Sequence, residues 1–423
     1  MLGSLLLVGW ALTAQADVPA DAAFQREVDR LVRQLDAPQL AERDAAEEAL
    51  LNLGPKVLEF LPPPAALKSP EEKSRVARIQ QKLQRLVAES AAKPSLVTLH
   101  GNALPLSKVL AALEEQSGNK IVRKGFGQQE SDPALKVDFN KTPFWQALDQ
   151  VLDQAGLTVY PFAEQRAVCV VPRSAGQLPR LGRACYSGPF RCEPIQVLAQ
   201  RDLRDPTGNS LRVKLEVSWE PRLRPIGLKQ RLRDLQATDD NGKSLPVENE
   251  EAELEVPASG RNIAVELLLP WKLPPRNVRE IARLKGMLLA MIPGRIETFS
   301  FENLLVAKHV EKRIAGVTVT LDRVEKNGDL WQVSMRVRFD QPGDALESHR
   351  AWILENEAYL EGPDGKPIPF ARREMDRRTA NEVGMVYGFA LGGPPTKHTF
   401  VYKTPAAIIT TGFDYELKGI RLP

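Results

Sequence analysis

The chain has 423 residues, with 57 basic and 54 acidic side chains and a formal net charge of +3. At roughly 100–200 residues per domain, that length suggests two to four domains. With 43% hydrophobic and 26% charged residues, the composition excludes a disordered chain, a collagen and a multi-span membrane protein. The near-neutral balance argues against a dedicated nucleic-acid binder.

Residues 1–16 read MLGSLLLVGWALTAQA, uncharged and apolar from Leu5 to Val8, and end in Ala14-Gln15-Ala16 before Asp17. This resembles a secretory signal peptide cleaved after Ala16, which implies a periplasmic or secreted mature protein. The apolar run falls short of the ~20 residues that a membrane span needs, so no transmembrane span is expected in the mature chain.

Residues 17–93 read as a helical module. Phe24, Val28, Leu31, Val32 and Leu35 form one amphipathic stripe. Pro38 opens a second helix with Leu40, Ala45, Ala49, Leu50 and Leu53 inside and Gly54 past its end. A short helix over 56–61 stops at Pro62-Pro63-Pro64. Ser69-Pro70-Glu71-Glu72 then starts a last helix with Val76, Ile79, Leu83, Leu86 and Val87 buried. The run LVRQLDAPQLAERDAAEEALLNLGPKVLEFL resembles a HEAT-type helical repeat. A single repeat cannot bury its own face, so the module must pack on something.

Residues 94–173 change period, and each half reads strand, helix, Gly stop, strand. The helices are expected over 106–116, ended by Gly118, and over 143–155, ended by Gly156, with Trp145 and Leu148 buried. VTLHGNALPLSKVLAALEEQSGNKIV and LKVDFNKTPFWQALDQVLDQAGLTVYPF resemble the small N-terminal domain of secretins and TonB receptors. The resemblance implies one small mixed βαβ-βαβ sheet carrying two helices, and a docking role in the cell envelope.

Residues 174–184 read as a linker. Beyond it the pattern is all-β and repeats itself. Strict alternation ends at Trp219 and again at Phe339, Asp240-Asn241-Gly242-Lys243 recurs as Pro363-Asp364-Gly365-Lys366, and the aromatic pair Phe299 and Phe301 recurs as Phe413 and Tyr415. The spacings from Trp219 to Phe339, Gly242 to Gly365 and Phe299 to Phe413 are 120, 123 and 114 residues. Two tandem all-β sandwiches are expected, 185–310 and 311–423. The fold class is therefore a multidomain α+β chain: helical repeat-like module, small mixed domain, two sandwiches.

Catalytic and metal signatures are not visible. The four histidines, His100, His309, His349 and His398, sit in no Ser or Cys constellation. Ser117-Gly118-Asn119-Lys120 matches S-x-x-K, but the companion motifs are missing and Ser117 ends a helix rather than starting one. Asp239-Asp240-Asn241-Gly242 reads as a hairpin turn rather than a calcium loop. Gly125-Phe126-Gly127 lacks the third glycine of a dinucleotide site. Glu248, Glu250, Glu251, Glu253 and Glu255 read as a solvated strand face and turn. No catalytic residue, cofactor or metal ligand is assigned.

Two features remain. Cys185 and Cys192 flank YSGPFR and either close a disulfide loop in an oxidising compartment or stay unpaired like Cys169. Residues 173–310 carry 22 basic against 17 acidic side chains, whereas 311–423 carry 16 of each. Arg222, Arg224, Lys229, Arg231 and Arg233 lie in one stretch, a candidate contact for an anionic surface or simply a solvated loop. The expected function is a non-catalytic exported scaffold or adaptor with a protein partner in the cell envelope. A carbohydrate-processing or carbohydrate-binding protein and a sensor docked on export machinery are the alternatives.

Overall fold

The computed structural model describes residues 20–62, 66–124, 131–163, 165–258, 262–340, 351–379, 381–405 and 408–423. The signal-peptide-like segment 1–16 and Gly125-Phe126-Gly127 lie outside them. The fold is mixed α+β, and the chain divides into two compact units, one ending at Leu83 and one running from Gln84 to Pro423. Among the described residues no helix is long and apolar enough to cross a membrane.

The first unit holds α1 (Ala20–Gln34), α2 (Leu40–Asn52), a 3-10 turn at Pro55–Glu59, and α3 (Pro70–Ala91), whose last two turns belong to the second unit. Val28, Leu35, Leu50, Val57, Ile79 and Leu83 form its core. The expected face of α2 is corrected: Leu40 and Ala45 are exposed, and Ala46 and Glu47 are buried instead. The reason is an ion-pair cluster on the buried face. The Glu47 carboxylate accepts from Arg78 at 2.6 Å, Arg75 at 3.1 Å and Lys82 at 3.3 Å, and the Arg78 hydrogen bond holds its pKa below the usual value. Leu86 in the second unit is 45% exposed, not buried.

The second unit opens with β1 (Leu96–Pro105), α4 (Leu106–Ser117), β2 (Ile121–Arg123), β3 (Ala134–Pro143), α5 (Phe144–Ala155), β4 (Leu157–Val159) and β5 (Val168–Pro172). Gly118 and Gly156 stop the two helices at φ 70° and 68°, a region where L side chains are strained. Trp145 and Leu148 are buried. The single mixed sheet is corrected to two small sheets. The leading strands of the two halves pair with each other, β1 antiparallel to β3. Strands β2, β5 and β4 form the second sheet, with β2 parallel to β5.

The following strands are β6 (Cys185–Ser187), β7 (Phe190–Gln200), β8 (Ser210–Trp219), β9 (Gly227–Arg231), β10 (Gln236–Asp239), β11 (Ser244–Leu245), β12 (Glu253–Pro257), β13 (Ala264–Trp271), β14 (Glu280–Ile292) and β15 (Ile296–Phe301). Then come β16 (Val310–Ile314), β17 (Val317–Asn327), β18 (Leu330–Phe339), the single turn α6 (Ala351–Leu354), β19 (Ala358–Glu361), β20 (Pro367–Pro369), β21 (Arg372–Arg378), β22 (Glu382–Ala390), β23 (Thr399–Pro405) and β24 (Ile409–Arg421).

These strands form two pairs of sheets with matching orders. Order β13-β8-β7-β6 in the first pair matches β22-β18-β17-β16 in the second, which adds β21 at its edge. Trp219 N–H donates to Ile263 O at 2.9 Å, and Phe339 N–H donates to Asn381 O at 3.0 Å, each just before the paired strand. The two turns are the same as well. Asp239 N–H donates to Lys243 O and Gly242 N–H to Asp239 O; Gly362 N–H donates to Lys366 O and Gly365 N–H to Gly362 O. Gly242 and Gly365 have φ 77° and 72°.

The opposing sheets exchange their last strands. β11-β10-β14 is completed by β24, from the C-terminus, and β20-β19-β23 is completed by β15, from the other half of the chain. Phe413, Tyr415, Leu417 and Ile420 therefore enter the first core, with Leu215, Trp271 and Leu288. Phe299 and Phe301 enter the second, with Val337, Tyr387 and Phe400. The boundary expected near residue 311 is corrected accordingly: residues 296–301 belong to the second sheet pair and 409–421 to the first.

Candidate functional site

The β8–β9 connection, Glu220-Pro221-Arg222-Leu223-Arg224-Pro225-Ile226, is the hub of the second unit. Glu220 is 1% exposed. Its carboxylate accepts from Ser95 N–H at 2.9 Å, Ser95 Oγ at 2.6 Å, Asn119 Nδ2 at 3.0 Å and Arg222 Nε at 2.6 Å. A buried carboxylate with four donors meets its desolvation cost locally. Ser95 leads into β1 and Asn119 follows α4, so the network locks that region onto the first sheet pair.

A second buried network does the same through α5. Asp149 accepts from Arg180 Nε at 2.7 Å, Arg191 Nε at 2.6 Å and Tyr186 Oη at 2.9 Å. Burial opposes ionisation here, but the Arg180 and Arg191 guanidiniums still hold the Asp149 carboxyl below its usual pKa. Arg180 N–H and Leu181 N–H both donate to the Asp153 carboxylate at 2.8 Å. The expected linker 174–184 is therefore corrected to a strap bound along α5, because acidic residues one helical turn apart capture it.

Beside the β8–β9 connection lies a cleft of about 300 Å³. Trp219, Leu223, Ile226 and Ile263 line it with Val87 and Ala91 from the end of α3. Pro293, Gly294 and Ile296 contribute the crossover that carries β15 into the second core, and Trp352 and Lys403 come from that second half. Gln84 of α3 fixes the crossover. Its Nε2 donates to the Glu297 carboxylate, and its Oε1 accepts from Arg295 N–H at 2.5 Å. Burial pushes the Glu297 carboxyl above its usual pKa. On the rim, Lys403 pairs with Glu357 at 2.8 Å. Both Trp219 and Trp352 are at most 4% exposed, so they are walls rather than stacking platforms.

The basic stretch expected to form one anionic-surface contact is not assembled as such. Antiparallel pairing of β9 with β12 sets Lys229 opposite Glu255 and Arg231 opposite Glu253. Lys229 Nζ lies 2.5 Å from Glu255, Arg231 pairs with Asp234 at 2.7 Å, and Arg233 lies 3.9 Å from Glu253. Lys229 and Arg233 of the basic stretch thus pair with Glu253 and Glu255 of the acidic run. Arg222 is an internal strut to Glu220, Ala91 O and Lys93 O. Arg224 is exposed and lines the cleft, and among the described residues no ion pair forms with it.

Cys185 and Cys192 face each other across the β6–β7 hairpin, and both are free thiols, as is buried Cys169. A separate polar pocket of about 270 Å³ lies on the five-stranded sheet of the second half. Asp322 and Asp376 stand at register irregularities in β17 and β21. Arg336 grips Asp322 in a fork at 2.9 Å, and His309, at φ 51°, meets Asp322 through Nδ1 at 3.0 Å. No sequence pattern announced this cluster, because a bulge re-aims a side chain without leaving a motif.

Comparison with protein-family models, with curated proteins and with solved structures gives no match.

Proposed function

We propose that the chain is a non-catalytic exported adaptor that holds an extended peptide segment of a cell-envelope protein in the cleft beside Arg224. The two sheet pairs are read as β-sandwiches, and residues 96–172 as a docking-type domain fixed to the first of them. The observation that carries the reading is the construction of the cleft. Its lining comes from segments far apart in the chain, and buried hydrogen-bonded groups hold those segments in place. A preorganised apolar wall lowers the ordering cost of binding. Arg224 adds a cation suited to an acidic group beside an apolar side chain.

The test is affinity capture from the envelope fraction with the wild-type chain and the Arg224→Glu variant. A specific protein retained by the wild type and lost from the variant supports the reading. A capture profile identical for both chains overturns the assignment of the cleft.

A further inference from the structure

The β6–β7 hairpin has two working faces, as strand alternation requires. On one face Tyr186 and Arg191, an opposed pair, both bond Asp149 of α5. On the other face lie Cys185, Cys192 and Phe190, which pack into the first core. That face meets β24: the rings of Phe190 and Phe413 are 4.7 Å apart, edge to face. A side chain added at Gly188, in the hairpin turn, would strike the Phe413 ring at 2.6 Å. The hairpin is therefore the joint between α5 and the exchanged C-terminal strand. β6 has three residues and sits at the edge of its sheet, so little backbone pairing holds it.

We propose that Cys185 and Cys192 form a dithiol–disulfide redox site whose oxidation staples β6 to β7 and so stiffens the hairpin face against which β24 packs. The cysteines occupy opposed register positions, which brings their side chains to the same face. Their environments differ in the way such a pair requires. Cys185 is partly accessible, and the hydrogen bond from Cys192 lowers its pKa, making it the better thiolate. Cys192 is 1% exposed and its pKa is raised, first by that same bond and then by burial.

The oxidant is a small or protein disulfide. The Cys185 thiolate attacks one of its sulfurs, forming a mixed disulfide and releasing one thiolate. Cys192 then gives up its proton and attacks the Cys185 sulfur, releasing the second thiolate. Two protein thiols become one disulfide, and the oxidant becomes two thiols.

The test treats the folded full chain with oxidised glutathione, then unfolds it in alkylating agent and counts modified cysteines by mass. Reduced chain should carry three alkyl groups and oxidised chain one, on Cys169. Cys192→Ser should trap glutathione on Cys185, whereas Cys185→Ser should gain no adduct. Amide hydrogen exchange across Ile409–Arg421 should slow on the order of tenfold in the oxidised chain. Three alkylated cysteines after oxidation, or equal trapping in the two variants, overturns the redox site. A bridged chain with unchanged exchange in β24 overturns the staple.

Discussion

At the scale of single residues, Asp149 carries the largest local consequence. Arg191 has no exposed surface and Arg180 almost none, so removing the carboxylate strands buried guanidiniums. Losing one partner of a buried pair costs about 3–5 kcal/mol. Asp149→Ala should therefore lower the unfolding free energy by that amount in urea titration, and a loss below about 1 kcal/mol would show the network to be idle. Glu416 gives a pH prediction. On β24 it is hydrogen-bonded to Arg283 on β14 at 2.9 Å, and that bond lowers its pKa to about 2. A depressed carboxylate stabilises the fold above its unfolded value, and that contribution is lost as pH falls through about 2. The Glu416 carboxyl should titrate there by NMR, and Arg283→Ala should raise its pKa toward the usual carboxylate range while Lys418 still holds it below that value. Little of this was visible in the sequence. Asp149 lay among the polar positions of an amphipathic helix, and nothing local marks it as the acceptor for arginines 31 and 42 residues away. Likewise Lys229 and Glu255 read as separate charge runs, because a cross-strand pair is set by register rather than by spacing.

At the scale of elements, period was legible and pairing was not. The aromatic pair Phe299 and Phe301 and its recurrence Phe413 and Tyr415 are all buried, as period 2 requires of one strand face, and glycine stops ended α4 and α5 as expected. Period 2 cannot say which neighbour a strand takes. Both β15 and β24 fit either core, since the cores arise from similar strand orders. The sequence phase of α2 also misled, because buried Glu47 sits where an apolar stripe would place a hydrophobe. The exchange inverts the expected effect of core mutations. Phe→Ala in a packed core costs about 3–5 kcal/mol. Phe413→Ala should loosen β8 and β14, and Phe299→Ala should loosen β18 and β23, as read by hydrogen exchange. The opposite assignment, each mutation loosening its sequence neighbours, would refute the observed pairing. Gly286 sits opposite Tyr415, whose ring covers it so closely that an added Cβ has no room. Gly286→Ala should accordingly weaken the first core and leave the second unchanged.

At the scale of the second unit, the exchange makes the two sheet pairs depend on each other. Residues 296–301 complete one core and residues 409–421 the other, so neither half of the sequence contains a finished core. The magnitudes decide how strongly. Phe413, Tyr415, Leu417 and Ile420 are all buried, and each contributes about 1.5–3 kcal/mol, together roughly 6–12 kcal/mol. That is comparable with the whole stability of a typical domain, about 5–15 kcal/mol. β24 also pairs along the length of β14, from Glu280 to Ile292, and its loss would expose an apolar edge. A chain ending at Pro405 should therefore lose the first core while keeping the second, which retains β15. Its urea unfolding should show one transition fewer, and exchange protection should vanish from β8 and β14 but persist in β18 and β22. A synthetic peptide of residues 408–423, added in trans, should restore that protection, because the vacated groove beside β14 still has the register to accept it. Native protection in β14 without the peptide would mean that the first core is complete without its exchanged strand, and the interdependence of the two halves would then be wrong.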